Sequence, residues 1–160
     1  MKDLIIIAAL GENNELGLNN KLIWHLPKDL KFFKENTIGK NIIMGYNTYK
    51  SLPGLLPKRI HLVLTHKNIN NTDMLMTFDS IDKLFNYLSK IDEDVYVIGG
   101  AAVYKELMPY ASKMLLTHIQ NTHEADAYFP AFDLNDWDRI IIDNEEENNI
   151  KYKHYLYKRK

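Results

Sequence analysis

The sequence predicts an α/β fold with a mainly parallel central sheet, helices on both faces and a C-terminal antiparallel hairpin. Up to about residue 119, short apolar β-branched runs alternate with segments of helical periodicity, which is typical of parallel βαβ units. Beyond that point the alternation stops and two apolar runs follow one another, which favours an antiparallel hairpin.

The first half of the chain supplies most of the predicted elements. The apolar run ending at residue 10 predicts a strand buried on both faces. The Asn-rich stretch over residues 11–21 predicts a long polar loop with left-handed turn residues rather than a packed element. Pro27 fits the first turn of a helix over residues 28–36. The same patterns predict strands over 41–45, 60–65 and 74–78, and helices over 46–52 and 81–91.

The second half closes the predicted sheet. A strand over 95–98 ends at a Gly-Gly pair, a helix follows to about 108, and another strand covers 114–119. The last two strands are expected over 138–143 and 150–157, with the acidic segment 144–149 as their connection.

Length and charge limit the classes of function. A chain of 160 residues with 46% hydrophobic and 26% charged residues is expected to form a single domain over residues 1–160. The net charge of −1 gives no broad attraction to nucleic acid or to an anionic membrane. The chain has no cysteine, which excludes disulfides and thiolate metal sites. With no recognisable signal peptide, the expected location is the cytoplasm, and nothing demands more than a monomer.

Two glycine turns are candidate phosphate-binding loops. Gly99-Gly100 follows a strand and opens a helix, and Gly45 precedes a short helix with Thr48 in its first turn. Small residues there let backbone N–H groups approach a phosphate. Taken alone, each turn is a weak signal that a plain strand–helix connection would also explain, but two of them in one sheet favour a diphosphate cofactor.

One carboxylate is predicted to lie among apolar side chains. Asp29 is close in sequence to Trp24, Leu30, Phe32 and Phe33. A carboxyl group beside apolar groups is difficult to ionise, which suits a general acid. The alternative is a solvated first-turn residue favoured by the helix dipole, and spacing alone leaves both open. His118, His123 and Glu124 match no standard ligand spacing, so no metal is expected.

A series of motifs then points to one family. The motifs are Ile7-Ala8-Ala9, Leu16-Gly17, Trp24-x-Leu-Pro-x-Asp29-Leu30 with Phe33, Ile43-Met44-Gly45-x-x-Thr48, Leu56-Pro57-x-Arg59, Val97-Ile98-Gly99-Gly100, Tyr104, Leu116-Thr117-His118-Ile119 and Asp126-x-x-Phe129-Pro130. Each motif alone is modest, but their order and spacing together are specific. Over nearly its whole length the chain resembles dihydrofolate reductase of the bacterial chromosomal type.

The resemblance implies a reaction and its central residues. Hydride from NADPH would move to C6 of 7,8-dihydrofolate while N5 gains a proton, giving 5,6,7,8-tetrahydrofolate, the step that antifolates block. Asp29 would bind the pterin edge and promote N5 protonation, and Thr117 would hydrogen-bond to Asp29. Trp24 and Leu22 would close the site from the polar loop, which would act as a lid.

The resemblance also implies two sets of binding residues and a cis peptide between Gly99 and Gly100. Arg59 would bind the α-carboxylate of the folate tail. The full substrate set is Ile7, Ala9, Leu30, Phe33, Leu52, Leu56, Arg59, Ile98 and Tyr104. The full NADPH set is Ala9, Leu16, Gly17, Gly45, Tyr46, Thr48, Thr65, His66, Lys67, Gly99, Gly100, Ala101, Ala102 and Val103.

The chain departs from the family pattern mainly where the cofactor's phosphates would bind. Tyr46 and Ala102 stand where the family often has arginine, and His66 stands where it often has Arg or Ser. Ile23 replaces a common proline in the lid. The candidate ligands for the 2′-phosphate are then Thr65, His66 and Lys67, which predicts a reduced but retained preference for NADPH over NADH.

Two other functions remain open at this point. One is a related pyrimidine reductase of riboflavin synthesis, which shares the fold, although Asp29 with Phe33 one turn later favours a pterin. The other is a nucleotide-binding module without catalysis, in which Asp29 is incidental.

Overall fold

Eleven strands and four helices make up the computed structural model, which describes residues 1–160. The strands are β1 (Leu4–Leu10), β2 (Glu15–Leu18), β3 (Lys21–Leu22), β4 (Asn41–Gly45), β5 (Ile60–Leu64), β6 (Leu75–Phe78), β7 (Val95–Gly99), β8 (Lys113–Ile119), β9 (Ala127–Tyr128), β10 (Trp137–Glu147) and β11 (Ile150–Arg159). The helices are α1 (Pro27–Thr37), α2 (Tyr46–Ser51), α3 (Ile81–Leu88) and α4 (Ala101–Leu107).

Eight of the strands form the central sheet, in the order β10-β11-β8-β1-β7-β4-β5-β6. All neighbours from β8 to β6 are parallel, whereas β11 pairs antiparallel with both β8 and β10. The predicted fold class is therefore confirmed. The carboxyl ends of β1, β4 and β7 meet at one edge of this sheet, where ligands bind in open α/β folds.

The apolar core lies on both faces of the sheet, because successive side chains of a strand point to opposite sides. In β1, Leu4, Ile6, Ala8 and Leu10 join a buried cluster that includes side chains of α3 and α4. Ile5 and Ile7 face the other way, towards a cluster against which side chains of α1 and α2 pack. A strand buried on both faces has no polar face, which explains the continuous apolar run.

The polar stretch over residues 11–21 is more ordered than the sequence predicts. It contains β2 and the first residue of β3, which form a three-stranded sheet with β9. Asn19 and Asn20 form the two-residue turn between them, with φ of 53° and 61°. The expectation of left-handed residues is confirmed, but the expectation of a loop without a packed element is wrong. Asparagines at such a turn are themselves a hairpin signal.

The prediction that residues 144–149 connect the last two strands is also wrong. Residues 144–147 continue β10, and the turn is formed by Asn148 and Asn149 alone, with φ of 53° and 63°. The extension brings Glu147 to the start of α1. Its carboxylate accepts the backbone N–H of Lys28 at 3.0 and 3.1 Å and the hydroxyl of Tyr152 at 2.5 Å.

This contact supplies a cap that α1 lacks in its own sequence. The N-cap position of α1 is Leu26, whose side chain accepts no hydrogen bond. The free N–H groups of a first turn need an acceptor, and Glu147 provides one from the hairpin. Burial acts to raise the pKa of Glu147, but the hydrogen bonds from Tyr152 and Lys28 outweigh it and lower the pKa below its usual value.

Replacing Glu147 with Ala is expected to lower the free energy of unfolding by about 1 kcal/mol at neutral pH, because the cap of α1 is lost. Urea unfolding of both proteins measures the difference. Glu146→Ala is the matched control, since Glu146 is exposed and its side chain makes no hydrogen bond or ion pair.

The deficit of the Glu147 variant should depend on pH. A folded-state pKa below the unfolded value stabilises the protein above the unfolded value, and this stabilisation disappears as pH falls through the folded pKa. The two proteins should therefore converge in acid. An equal loss in the Glu146 variant, or a deficit that grows in acid, would contradict the cap.

Candidate active site

Asp29 lies in the first turn of α1, where one of its two carboxylate oxygens is held by the sheet. The hydroxyl of Thr117 donates to Oδ1 over 2.7 Å, and Nε2 of His154 lies 2.8 Å from the same oxygen. The side chain of Asp29 is 16% exposed, and Oδ2 has no protein hydrogen-bond partner. The carboxylate therefore presents one fixed, free oxygen to a ligand.

The residues that hold Asp29 form a row across four neighbouring strands. Asp143 of β10 pairs with His154 of β11, His154 with Thr117 of β8, and Thr117 with Ala9 of β1. Directly opposite residues lie on the same face of a sheet, so the hydrogen-bonding side chains are placed by register. The row meets α1 at Asp29.

His154 was missed by sequence reasoning, yet it lies within hydrogen-bond distance of two carboxylates of the site. It is 2% exposed, its Nδ1 lies 2.7 Å from Oδ1 of Asp143, and its ring stacks on Phe32 with centroids 3.9 Å apart. Burial acts to lower the pKa of His154, but the hydrogen bonds and charges of Asp29 and Asp143 outweigh burial and raise it. The signal that would have identified His154 is the register of the C-terminal hairpin against β8, which places it opposite Thr117.

The structure corrects both interpretations of Asp29 that the sequence left open. Phe32 stacks on His154, but Asp29, hydrogen-bonded on Oδ1 and 16% exposed, is neither an isolated carboxyl in apolar surroundings nor a freely solvated one. Its donors come from β8 and β11, which are 88 and 125 residues away along the chain. A local sequence pattern contains no information about them.

The two predicted glycine loops lie side by side at the carboxyl edge of the sheet. β4 and β7 are parallel neighbours, and Met44 pairs with Gly99. A Cβ atom on Gly45 would lie 3.1 Å from Cγ2 of Val103, and one on Gly100 would lie 3.5 Å from Oγ1 of Thr48. The peptide between Gly99 and Gly100 is cis, as the resemblance implies. The absence of a Cβ at both positions lets the two loops pack closely against Val103 and Thr48.

Val103, which is in the predicted cofactor set, has a buried side chain. It is 8% exposed and belongs to the core beneath Gly45. Its side chain therefore packs against the loop at Gly45. Ala101 and Ala102 form the start of α4 beside it and are more accessible.

Two lysines surround Tyr46, which stands where the family often has arginine. Nζ of Lys67 lies 4.9 Å from the centre of the Tyr46 ring, and Nζ of Lys50 lies 5.7 Å from it. The backbone N–H of Lys67 donates to Oγ1 of Thr65 over 3.1 Å, while His66 is exposed. Lys50 was not predicted, although its position four residues after Tyr46 on α2 places both on one helix face.

Arg59 is a buried cation without a carboxylate partner in the protein. It is 3% exposed, and its guanidinium donates to Oγ1 of Thr37 at 2.9 Å and to the carbonyls of Pro57 at 3.0 Å and Lys34 at 3.5 Å. Burial lowers the pKa of Arg59, but a guanidinium keeps its proton in proteins. Three of its five donors are used, so two are left for a carboxylate ligand.

The predicted apolar residues differ in how deeply they are buried. Ile98, Phe33, Leu52 and Leu56 pack against the cluster that contains Ile7, whereas Leu30 is exposed. Tyr104 lies under Gly99 and donates its hydroxyl to the carbonyl of Ile7 over 2.7 Å. It is 4% exposed, and burial raises its pKa, so it stays a neutral hydrogen-bond donor that fixes the strand.

The predicted lid is anchored at one end and exposed at the other. Glu15 is 1% exposed and accepts the backbone N–H groups of Asn13 at 2.6 Å and His123 at 2.8 Å. Leu16 packs on the core and Gly17 pairs with Leu22. Trp24 and Ala9 pack on one small cluster, Leu26, Ile119 and Tyr152. Leu22 is 68% exposed at the other end.

Comparison with known proteins agrees with this arrangement. The family model for dihydrofolate reductase matches residues 3–159. A dihydrofolate reductase of Buchnera aphidicola subsp. Baizongia pistaciae is 37% identical over 155 residues, covering 94% of this chain and 93% of that protein. A dihydrofolate reductase of Bacillus subtilis is 34% identical over 157 residues, covering 96% and 93%.

A solved structure of a dihydrofolate reductase has the same fold as this chain. Dihydrofolate reductase from Enterococcus faecalis, in complex with NADP(H) and RAB-propyl, superimposes with a TM-score of 0.86 at 32% identity and covers 98% of this chain and 96% of that one. Matches in motif order, in sequence over the whole chain and in three-dimensional arrangement agree. The chain belongs to the dihydrofolate reductase family.

Proposed function

We propose that the chain performs the reaction of its family, NADPH-dependent reduction of 7,8-dihydrofolate to 5,6,7,8-tetrahydrofolate, and that Asp29 is the residue on which turnover depends. The observation that carries the assignment is the carboxylate itself, with Oδ1 held by Thr117 and His154 and Oδ2 free. The family comparisons favour this reaction over the pyrimidine reductase and over the module without catalysis.

The chain has a place for the cofactor. Gly45 ends β4, and Gly100 directly follows the neighbouring strand β7. A Cβ on Gly45 would be crowded by Val103, and one on Gly100 would touch Thr48. The loops at Gly45 to Thr48 and at Gly99 to Ala102 would hold the pyrophosphate and ribose groups, with Lys67, Thr65 and His66 towards the 2′-phosphate. NADPH supplies the hydride that C6 of the substrate receives.

Asp29 binds and orients the pterin in this proposal. Its free oxygen accepts hydrogen bonds from the 2-amino group and N3 of the ring, which a carboxylate fixed by Thr117 does without further ordering. The same negative charge favours the state in which N5 has gained its proton, because opposite charges stabilise each other in a partly buried site.

Arg59 and the lid complete the proposed site. The two free donors of Arg59 would bind the α-carboxylate of the substrate's glutamate tail, while Phe33, Leu52 and Leu56 contact the p-aminobenzoyl group. Leu22 and Trp24 would close over the reacting rings and exclude water, which strengthens the interactions of Asp29.

We further propose that the chain acts as a monomer of one domain in the cytoplasm, without nucleic acid. The balanced charge supports the last point. None of the helices is both long and apolar enough to cross a membrane.

Asp29→Asn should lower the turnover number by about 10²- to 10⁴-fold at neutral pH. The neutral amide does not attract a proton, and it accepts hydrogen bonds on only one of its two terminal atoms. NADPH oxidation followed by absorbance, with and without dihydrofolate, measures it. In the unmodified protein the rate should fall as pH rises, since N5 must be protonated.

The matched control is Asp82→Asn, an exposed carboxylate in the first turn of α3. It should retain full activity. Near-normal turnover of a folded Asp29→Asn variant would refute the proposed role of Asp29.

Arg59→Gln should raise KM for dihydrofolate by about 10- to 100-fold, because charge-assisted hydrogen bonds to the substrate tail are lost. The test compares dihydrofolate with a dihydropterin that lacks the glutamate tail. For the truncated substrate the variant and the unmodified enzyme should have equal KM. A similar rise with both substrates would mean that Arg59 acts on the fold and not on the tail.

Lys67→Ala should raise KM for NADPH about 3- to 10-fold and leave KM for NADH unchanged, because only NADPH has a 2′-phosphate. Lys90→Ala, an exposed lysine after α3, serves as the control. Steady-state kinetics with both cofactors decide the point. Equal effects on the two cofactors, or no preference in the unmodified enzyme, would contradict a 2′-phosphate site at Lys67.

A further inference from the structure

We propose that His154 is a positioning residue for Asp29, an imidazolium held between the carboxylates of Asp29 and Asp143 that fixes Asp29 with Oδ2 directed to the substrate. The inference rests on the role proposed above for Asp29. It assigns a function to a side chain that lies outside the motifs by which the family was recognised.

The protonation state follows from the two partners of the ring. Nε2 lies 2.8 Å from Oδ1 of Asp29, and Nδ1 lies 2.7 Å from Oδ1 of Asp143. An ionised carboxylate only accepts hydrogen bonds, and a neutral imidazole has a single N–H. Both contacts are satisfied together when the ring carries two protons. The three groups then share a net charge of −1.

A β-bulge places Asp143 against this ring. In the pairing of β10 with β11, Ile141 is opposite Tyr155 and Asp143 is opposite His154, so Ile142 is an extra residue. With regular pairing Ile142 would stand opposite His154, and Asp143 would point to the other face. Bulges often redirect side chains beside active sites. Here the bulge exchanges an apolar neighbour for a carboxylate.

The surroundings hold the ring in one orientation. His154 stacks on Phe32 with 15° between the planes, and the edge of Tyr152 closes the site with centroids 5.5 Å apart. The ring thus has apolar faces and two anionic edges. Rotation of the imidazole ring about its bond to Cβ would break the hydrogen bonds to Asp29 and Asp143.

The charges near the cluster are mostly negative. Thr117 is the neutral donor from β8, and Lys28 of α1 is engaged by Glu145 at 3.4 Å. The titratable groups around the ring are Asp29 and Lys28 from α1, Asp143, Glu145 and Glu147 from β10, and Tyr152 from β11. Burial acts to lower the pKa of His154, but the hydrogen bonds and charges of the two carboxylates have the larger effect and raise it.

A cation on Oδ1 of Asp29 has a definite effect on the reaction. The cation stabilises the carboxylate. The complex of Asp29 and the substrate therefore binds the proton needed at N5 less tightly. The rate should fall with rising pH at a lower midpoint than it would without the imidazolium. Loss of His154 therefore lowers the maximal rate but extends activity to higher pH, which loss of packing alone would not do.

The first test is made on the enzyme without ligands. A titration of the histidine ring protons by NMR, assigned with His154→Phe, should give His154 a midpoint above the ordinary value of about 6.5. Asp143→Asn should lower that midpoint. A midpoint at or below the ordinary value overturns the proposal, whatever the activity.

Stability gives a second measurement that does not depend on catalysis. A folded-state pKa above the unfolded value stabilises the protein fully below the unfolded value, and this stabilisation disappears as pH rises through the folded pKa. The advantage of the unmodified protein over His154→Phe should therefore shrink between about pH 6.5 and the raised midpoint. An advantage that is constant with pH contradicts the imidazolium.

The third test concerns the reaction. His154→Phe keeps the stack on Phe32 and should lower kcat about tenfold while moving the alkaline midpoint upwards by about one pH unit. His154→Gln offers a neutral donor at the place of Nε2. It should recover much of kcat but keep the shifted midpoint, because the hydrogen bond is restored and the charge is not.

The control is His118→Phe. Nε2 of His118 hydrogen-bonds to the hydroxyl of Tyr157 at 2.8 Å and not to Asp29. It should leave the midpoint unchanged. An unmoved midpoint in both His154 variants, with Asp29→Asn inactive, overturns this inference and leaves the proposed function intact. Full activity of Asp29→Asn would overturn the proposed function instead.

Discussion

The hydrogen bonds to Oδ1 of Asp29 are the interaction on which the rest of the site depends. They join the first turn of α1 to strands β8 and β11, through Thr117 and His154. A carboxylate held on one oxygen offers the other in a fixed direction, so the proposed substrate would meet an acceptor that needs little reorganisation. Glu147 serves the same end by capping the helix from the hairpin.

The mixed sheet explains why these groups meet. Its parallel part brings the glycine loops after β4 and β7 to one edge, as expected for nucleotide sites in open α/β folds. Its antiparallel part adds the hairpin, which reaches across to α1 with His154 and Glu147. In the proposed function the first part would serve the cofactor, the second would position the carboxylate, and Arg59 would provide a cation for the other end of the substrate.

Local patterns predicted the elements well, because the apolar runs and glycine turns of a βαβ sheet are local. They also singled out Asp29 and the loops at Gly45 and Gly99. They failed for the hairpin turn at Asn148, since an acidic strand at a sheet edge looks like a connection. They missed His154 and its bulge because register between β10, β11 and β8 is set by pairing over long distances.

A double-mutant cycle on the rate of hydride transfer shows whether the hydrogen bond from Thr117 to Oδ1 of Asp29 serves turnover through Asp29. Thr117→Val keeps the shape of the side chain and removes its hydroxyl, so in the unmodified background it should slow transfer about 3- to 10-fold. In the Asp29→Asn background it should cause little further loss, because the two residues act as one unit. The same fractional loss in both backgrounds would contradict the account.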